Sequence, residues 1–119
     1  MPGFAFLDGE PWLAFGVMGG GFQPQGHVQI ISNIVDHRMG LQEAGDAARW
    51  EHYDDGSKHG VVVVESGVCE AEIEELKRLG HHVVRGTNQG GYQAVARDPR
   101  TGVLRAASEM RKDGHAAGF

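Results

Sequence analysis

Two short apolar runs open the chain, at positions 4–7 and 12–17, and the dipeptide Asp8-Gly9 lies between them. An Asp-Gly pair between two apolar runs is typical of a type I′ hairpin turn. Both faces of each run are apolar, which is the pattern of strands that other layers cover on both sides. The pattern therefore predicts an antiparallel hairpin inside a layered fold, with Pro11 at its rim because proline cannot donate to a strand ladder.

Apolar residues at helical spacing follow the predicted hairpin. Four apolar residues recur at this spacing after Pro24, namely Val28, Ile31, Ile34 and Val35, and Ile30 widens the stripe that they form. They predict a helix that begins near Pro24 and ends at Gly40, and its broad apolar stripe indicates packing against the sheet. A weaker pattern predicts a second helix over 41–48, in which Gly45 lowers the helix propensity.

The second half of the chain alternates between strands and a helix. The valines at 61–64 predict a strand. Residues 70–79 predict a helix that Gly80 ends, with three apolar residues inward (Ile73, Leu76 and Leu79) and an outward Glu74/Arg78 pair. Residues 82–85 predict a further strand, and 92–97 with 103–108 predict a closing hairpin. The polar stretch 49–60 is interpreted as a surface excursion with a short strand near its start.

This element order excludes a doubly wound parallel sheet, because hairpins open and close the chain. It predicts an α+β fold with a mainly antiparallel sheet and flanking helices. At 119 residues, we expect a single domain over 1–119.

Composition and charge narrow the function classes. With 16 acidic and 11 basic residues, the formal net charge is −5, and no Lys/Arg cluster is long enough to follow a phosphate backbone, so we expect no nucleic-acid partner. The single Cys69 cannot form an internal disulfide, and we expect it to be buried or half-buried. No apolar stretch of membrane-spanning length and no leader pattern is present, so we expect no membrane partner and a cytoplasmic location for the chain as given, although a parent protein could be periplasmic or secreted.

Three consecutive glycines, Gly19 to Gly21, lead from an apolar run into the predicted helix. Bare backbone N–H groups and the positive end of the helix dipole converge at such a point. One hypothesis is therefore a cradle for an oxyanion or a carboxylate, and the other is a connection that needs glycine only for tight packing. The spacing matches neither the dinucleotide fingerprint nor the P-loop, so the residues alone leave both hypotheses open.

The seven histidines do not have metal-ligand spacing. His81 and His82 would point to opposite faces of a strand, and no CxxC or HExxH motif is present. We therefore expect neither a metal nor a cofactor, and only His27, beside the glycines, is kept as a candidate supporting group. The polar run with Glu109 and Arg111 is expected to be solvated.

The residues themselves resemble a known family. GVMGG followed by QPQGHVQ, then VVVVESG, RLGHHV, GGYQAVARDPRTGVLRAASEM and RKDGHAAGF are similar, over essentially the whole chain, to the C-terminal part of the small subunit of the gamma-glutamyltranspeptidase family. The loop segments are the most specific part of this likeness. The tail departs at Met110, where the family usually has proline.

The resemblance implies part of the αββα sandwich of the N-terminal-nucleophile hydrolases. In that family an N-terminal Thr, freed by self-cleavage, attacks a gamma-glutamyl amide with its own α-amino group as base, and water or an amine then resolves the acyl-enzyme. Two consecutive glycines donate N–H groups to the oxyanion, and these correspond to Gly19 and Gly20 here. The resemblance thus assigns those two residues to an oxyanion hole.

The family's nucleophile has no counterpart in this sequence. Thr87 and Thr101 are its only threonines, and neither matches the nucleophile motif; the serine pair that precedes the hairpin in the family is also absent. The chain alone is therefore expected to be inactive and to need the missing upstream polypeptide or self-association. The alternative hypothesis is a non-catalytic remnant that serves as a binding or oligomerisation module. Transfer versus hydrolysis, and glutathione versus another amide as the substrate, stay open.

Overall fold

The fold is described from a computed structural model that covers residues 1–87 and 90–118. In chain order the elements of this part are β1 (Pro2–Leu7), β2 (Glu10–Met18), a 3₁₀ turn (Gly20–Phe22), α1 (Gln23–Val35), α2 (Leu41–Asp46), β3 (Trp50–Tyr53), β4 (Val61–Val64), α3 (Glu70–Arg78), β5 (Val83–Arg85), β6 (Gly91–Arg97) and β7 (Leu104–Ser108). They form two compact units, residues 1–46 with 90–118 and residues 47–87. The single domain over 1–119 stays a prediction.

The first unit is built on an antiparallel sheet in the order β1-β2-β6-β7. Its first hairpin turns at Asp8 (φ 52°) and Gly9 (φ 84°), the two positive φ values that a type I′ turn requires, so the predicted hairpin is confirmed. The second hairpin joins β6 and β7, and β2 pairs with β6 between them. The two predicted hairpins thus make one sheet.

One face of this sheet forms the core with the helices. The buried cluster consists of Leu13, Val17, Phe22, Ile30, Tyr92, Ala94, Ala96 and Ala107. Strand alternation places these strand residues on one face, while their neighbours point to the other. The mixed helix and antiparallel sheet confirm the α+β prediction.

Helix α1 differs from its prediction in length and in orientation. It ends at Val35, before Arg38 takes a left-handed conformation (φ 57°), rather than at Gly40. Ile30 lies at the centre of the buried face, whereas Val28 is 65% exposed and Val35 is 52% exposed. The apolar stripe is wider than the surface that the sheet offers, so its margins remain outside.

The second unit is a small three-stranded sheet in the order β3-β4-β5. The β4/β5 pair is parallel, with α3 as the crossover, and Val64, Ile73 and Val83 form the core. The inward prediction for Leu79 is wrong, since its side chain is 61% exposed just after the helix ends.

The surface of α3 also pairs differently from the prediction. Glu74 binds Lys77 at 2.7 Å, and Glu75 binds Arg78 through Nε at 2.7 Å, both at i,i+3. The i,i+4 pair of Glu74 with Arg78 does not form. Both spacings bring side chains together on a helix, and the lysine at i+3 takes the first carboxylate.

Candidate functional site

The glycine loop, residues 19–21, lies between the end of β2 and the start of α1. Gly19 has φ 136° and ψ 25°, and Gly20 has φ 59°, values that residues with a Cβ rarely adopt. The Gly19 carbonyl accepts from the Phe22 N–H at 3.1 Å, and the Gly20 carbonyl accepts from the Gln23 N–H. These bonds turn the chain directly from strand to helix.

The loop needs glycine for contact as well as for conformation. A Cβ on Gly19 would lie 3.1 Å from the Cα of Gly90 and 3.3 Å from the Phe22 ring. Gly90 also has a positive φ of 71°, and a Cβ there would collide with the carbonyl oxygen of Met18. By contrast, Cβ atoms on Gly20 and Gly21 would meet nothing within 4 Å. One side of the loop is therefore packed backbone to backbone, and the other side is open.

Gly19 and Gly20 are exposed. Among residues 1–87 and 90–118, neither donates a hydrogen bond to another residue. The first turn of α1 holds no acidic side chain that would offset its dipole. An open loop with two such donors, ahead of a helix N-terminus, suits an oxyanion or a carboxylate. Of the two hypotheses left open by the residues, close packing accounts for Gly19 and backbone conformation for Gly20, while the open side of the loop is compatible with a ligand.

His27, the candidate supporting residue, reaches back from α1 to the hairpin. Its Nε2 lies 3.0 Å from the carbonyl oxygen of Met1 and 3.3 Å from the Val17 nitrogen. In one tautomer Nε2–H donates to Met1, and in the other Nε2 accepts from the Val17 N–H. The imidazole also packs on the Phe15 ring, with 4.8 Å between the centroids. The first tautomer links α1 to the residue before β1, and the second links it to β2, the strand that leads into the glycine loop.

The remaining predicted candidates do not gather at the loop. Six histidines are exposed, namely His37, His52, His59, His81, His82 and His115. Within the described ranges, no three His, Cys, Asp or Glu side chains are placed to hold a metal ion. Cys69 is exposed immediately before α3, so the prediction of a buried or half-buried thiol is wrong. Thr101 belongs to the β6/β7 turn, where its Oγ1 accepts from the Val103 N–H at 3.3 Å.

The prediction of a solvated Glu109 is also wrong. Glu109 is only 3% exposed, and its carboxylate accepts from the Tyr92 N–H at 2.8 Å and from Arg111 Nη1 at 2.9 Å. Nothing in the local polar run signals this burial, because Tyr92, 17 positions earlier in the chain, is brought to Glu109 only by the fold. The acid follows β7 directly and lies beside the start of β6.

The outer face of the four-stranded sheet is apolar and uncovered. The register aligns Phe4, Ala14, Val95 and Ala106 in one row across the four strands. Phe4 is 60% exposed, and Val95 is 44% exposed. An open groove of about 830 Å³ runs along this face. Exposed apolar faces of this kind are typical of surfaces that another polypeptide covers.

No helix in the described part of the chain is long and apolar enough to span a membrane.

Comparison with known proteins gives consistent results. A family model described as gamma-glutamyltranspeptidase matches residues 1–119. The chain is 36% identical over 115 residues to the acylase ACY 1 proenzyme of Pseudomonas sp. (strain SE83), covering 95% of this chain and 19% of that protein. It is 31% identical over 123 residues to the glutathione hydrolase-like YwrD proenzyme of Bacillus subtilis (strain 168), covering 100% of this chain and 23% of that protein. The chain thus spans about a fifth of the length of these curated relatives.

Solved structures agree with the fold. The cephalosporin acylase from Bacillus halodurans superposes with a TM-score of 0.90 at 38% identity, over 99% of this chain and 22% of that one. The gamma-glutamyltranspeptidase from Pseudomonas nitroreducens complexed with L-DON superposes with a TM-score of 0.85 at 24% identity, over 100% of this chain and 61% of that one. The second likeness shows the fold alone.

Proposed function

Because this chain belongs to the gamma-glutamyltranspeptidase family, within the N-terminal-nucleophile hydrolases, we propose that it is the C-terminal segment of an enzyme that transfers or hydrolyses an amide-linked acyl group. The family and the α+β fold predicted from the residues are confirmed. The chain matches only part of longer proenzymes, which supports its assignment as one segment of a larger enzyme.

In this proposal the glycine loop provides the oxyanion hole. An N-terminal Thr on another polypeptide segment attacks the carbonyl carbon of the amide, and the negative charge develops on the carbonyl oxygen. The N–H groups of Gly19 and Gly20 donate to that oxygen. The observation that carries the proposal is the pair of N–H groups that donate to no other described residue, on a loop whose open side admits a ligand. The loop stabilises the transition state and supplies no nucleophile.

The substrate class rests on the relatives. A gamma-glutamyl amide is the first candidate, from the family and from the glutathione hydrolase-like relative. An amide of another acyl group is the second, since two of the relatives at 36% to 38% identity are called acylases. Both candidates pass through the same tetrahedral oxyanion, so the assignment of the loop does not depend on the choice.

The uncovered apolar face supports the need for a partner. The outer face of the four-stranded sheet, which includes Phe4 and Val95, is a surface on which the polypeptide that bears the nucleophile would pack. A second copy of this chain is the other occupant. The first occupant brings the Thr to the enzyme, and the second does not, so only the first completes the catalytic site.

A chimera tests the proposal. The matching segment of the Bacillus halodurans cephalosporin acylase is replaced by this chain, and hydrolysis of a gamma-glutamyl anilide and of a cephalosporin side-chain amide is measured. We expect activity from the chimera and none from the isolated chain. Gly19→Ala should lower kcat by about 10²- to 10³-fold, the usual loss when an oxyanion donor is misplaced. Gly21→Ala is the matched control, because its Cβ meets nothing within 4 Å.

The outcomes separate the hypotheses. A folded Gly19→Ala chimera with kcat within twofold of the parent chimera would remove the oxyanion role. A chimera that folds but neither processes itself nor hydrolyses either amide would favour the non-catalytic binding module. Activity of the isolated chain above background would contradict the proposed division of the enzyme.

A further inference from the structure

The buried Glu109 carboxylate extends the sheet beyond the end of β7. The last pair of the β6/β7 ladder is Gln93 with Ser108, so the next N–H of β6, that of Tyr92, has no strand carbonyl opposite it. Glu109 Oε2 accepts that N–H at 2.8 Å. A side-chain oxygen thus takes the place of a backbone acceptor, and the carboxylate makes the bond stronger than a neutral one.

Arg111 holds the carboxylate in place. Its Nη1 donates to Glu109 Oε1 and to the Gly45 carbonyl oxygen of α2, both at 2.9 Å, and its own backbone N–H donates to Oε1 at 3.0 Å. The Glu109 side chain is fully buried, and that of Arg111 is 10% exposed. Since a buried charge is tolerated only when it is paired and hydrogen-bonded, these bonds make the carboxylate a rigid anchor between α2, β6 and the segment after β7.

The anchored end of β6 is the end that touches the glycine loop. Gly91, one residue before Tyr92, pairs with Met18, the last residue of β2. Gly90 then packs its Cα against Gly19: a Cβ on Gly19 would lie 3.1 Å from that Cα, and a Cβ on Gly90 would collide with the Met18 carbonyl oxygen. The path from the carboxylate to the loop is therefore a run of backbone contacts without intervening flexible side chains.

We propose that Glu109 is a positioning residue for the glycine loop, acting through the Tyr92 N–H and the Gly90–Gly19 contact. The anchor holds the first residues of β6 against the end of β2, and this fixes the direction in which the Gly19 and Gly20 N–H groups point. The catalytic consequence rests on the proposed oxyanion role, whereas the structural coupling does not.

Nuclear magnetic resonance of the 119-residue chain tests the coupling. The amide chemical shifts of Gly19, Gly20 and Tyr92, and the hydrogen-exchange rate of Tyr92, are compared in the parent and in Glu109→Gln. A carboxamide presents one oxygen and one NH₂ to donors on both sides, so one bond to Glu109 is lost. We expect exchange at the Tyr92 amide to rise by roughly 10- to 100-fold, the range for a lost bond to a charged group. The Gly19 and Gly20 amides donate to no described residue, so we expect the coupling to appear there as a change of their chemical shifts.

The matched control is Glu10→Gln, an exposed carboxylate at the other end of the sheet, 3.7 Å from Arg97. It should leave the three amide chemical shifts unchanged and the exchange rate of Tyr92 within twofold. A change confined to Tyr92 in Glu109→Gln, with the two glycines unmoved, would overturn the proposal. Should Glu109→Gln not fold, Glu109→Asp keeps the charge but withdraws it by one methylene, and the same three amides should move together to a smaller extent. Movement of Tyr92 alone there would equally overturn it.

The chimera separates this proposal from the oxyanion role. Glu109→Gln should lower kcat about tenfold with KM within twofold, because an interaction made only in the transition state affects kcat. If the glycine amides move and kcat does not, the coupling stands and the oxyanion role fails. If the amides do not move, the coupling fails whatever Gly19→Ala does to kcat.

Discussion

Replacing Gly45 with alanine should destabilise the protein, although helix propensity alone predicts the opposite. Gly45 lies inside α2 and is buried. A Cβ at this position would collide with Cδ1 of Tyr92 and lie 2.7 Å from Cε1 of the same ring. Tyr92 is 0% exposed, so its ring has no solvent-facing space into which it can move. The steric term therefore opposes the propensity term.

The relative sizes of the propensity and steric terms decide whether Gly45→Ala stabilises or destabilises the protein. A Gly→Ala change inside a helix contributes about 1 kcal/mol in favour of folding. Overpacking a well-packed core costs about 1–3 kcal/mol, and the contact with a ring that cannot yield places this site near the upper end. We expect a net loss of about 1–2 kcal/mol in the free energy of unfolding. Guanidinium unfolding, followed by circular dichroism, should show a lower midpoint with an unchanged m value.

A double-mutant cycle gives the sharper test. Tyr92→Leu removes the ring, so Gly45→Ala should cost at least about 1 kcal/mol less in that background than in the parent. Gly21→Ala is the control, with nothing within 4 Å of its Cβ, and should change stability by no more than about 0.5 kcal/mol. A Gly45→Ala variant as stable as the parent, or a cycle without coupling, would refute the reasoning.

Two further predictions concern turns. Gly60 has φ 65°, and a Cβ there would lie 2.5 Å from the Tyr53 carbonyl oxygen, so Gly60→Ala should lower the free energy of unfolding by about 2 kcal/mol or more in a urea titration. Gly56→Ala, at φ 83° with open space, isolates the conformational part, and equal losses in both variants would exclude the clash. The pKa of Asp98 is lowered because its carboxylate accepts the N–H groups of Thr101 and Arg100. The pKa of Asp98 is lower in the folded state than in the unfolded state, so its ionised carboxylate adds to the free energy of unfolding at pH 7. This stabilisation is lost as the pH falls below about 4. The stability gap between the parent and Asp98→Asn should therefore narrow in acid, and a carboxyl pKa at or above the ordinary value by NMR would contradict this.

Local chemistry allowed the elements to be predicted. Asp8-Gly9 indicates a hairpin because the turn demands two positive φ values, and the structure has both. The valines at 61–64 and the helical spacing after Pro24 predict a strand and a helix that are present. The glycine loop was recognised for the same reason, since three consecutive glycines by themselves indicate a backbone conformation that other residues rarely adopt. Its role as an oxyanion hole stays a proposal.

The wrong predictions concern the burial of side chains, which depends on residues that are distant in the chain. Val28 and Leu79 fit helical apolar patterns, yet both are exposed: Val28 lies at the margin of the apolar stripe of α1, and Leu79 lies just after the end of α3. Cys69 is exposed immediately before α3, although its position next to a helix start gave no sign of this.

The sequence by itself determined where the strands, helices and turns lie and to which family the chain belongs, because propensity, turn chemistry and motif spacing act within a few residues. Only the tertiary structure decided what surrounds them. Pairing of β2 with β6 brings Gly19 against Gly90, and the end of β7 brings Glu109 beneath Tyr92. Burial and close contact are properties of residues that meet from distant parts of the chain, and periodicity along one segment contains no information about that meeting.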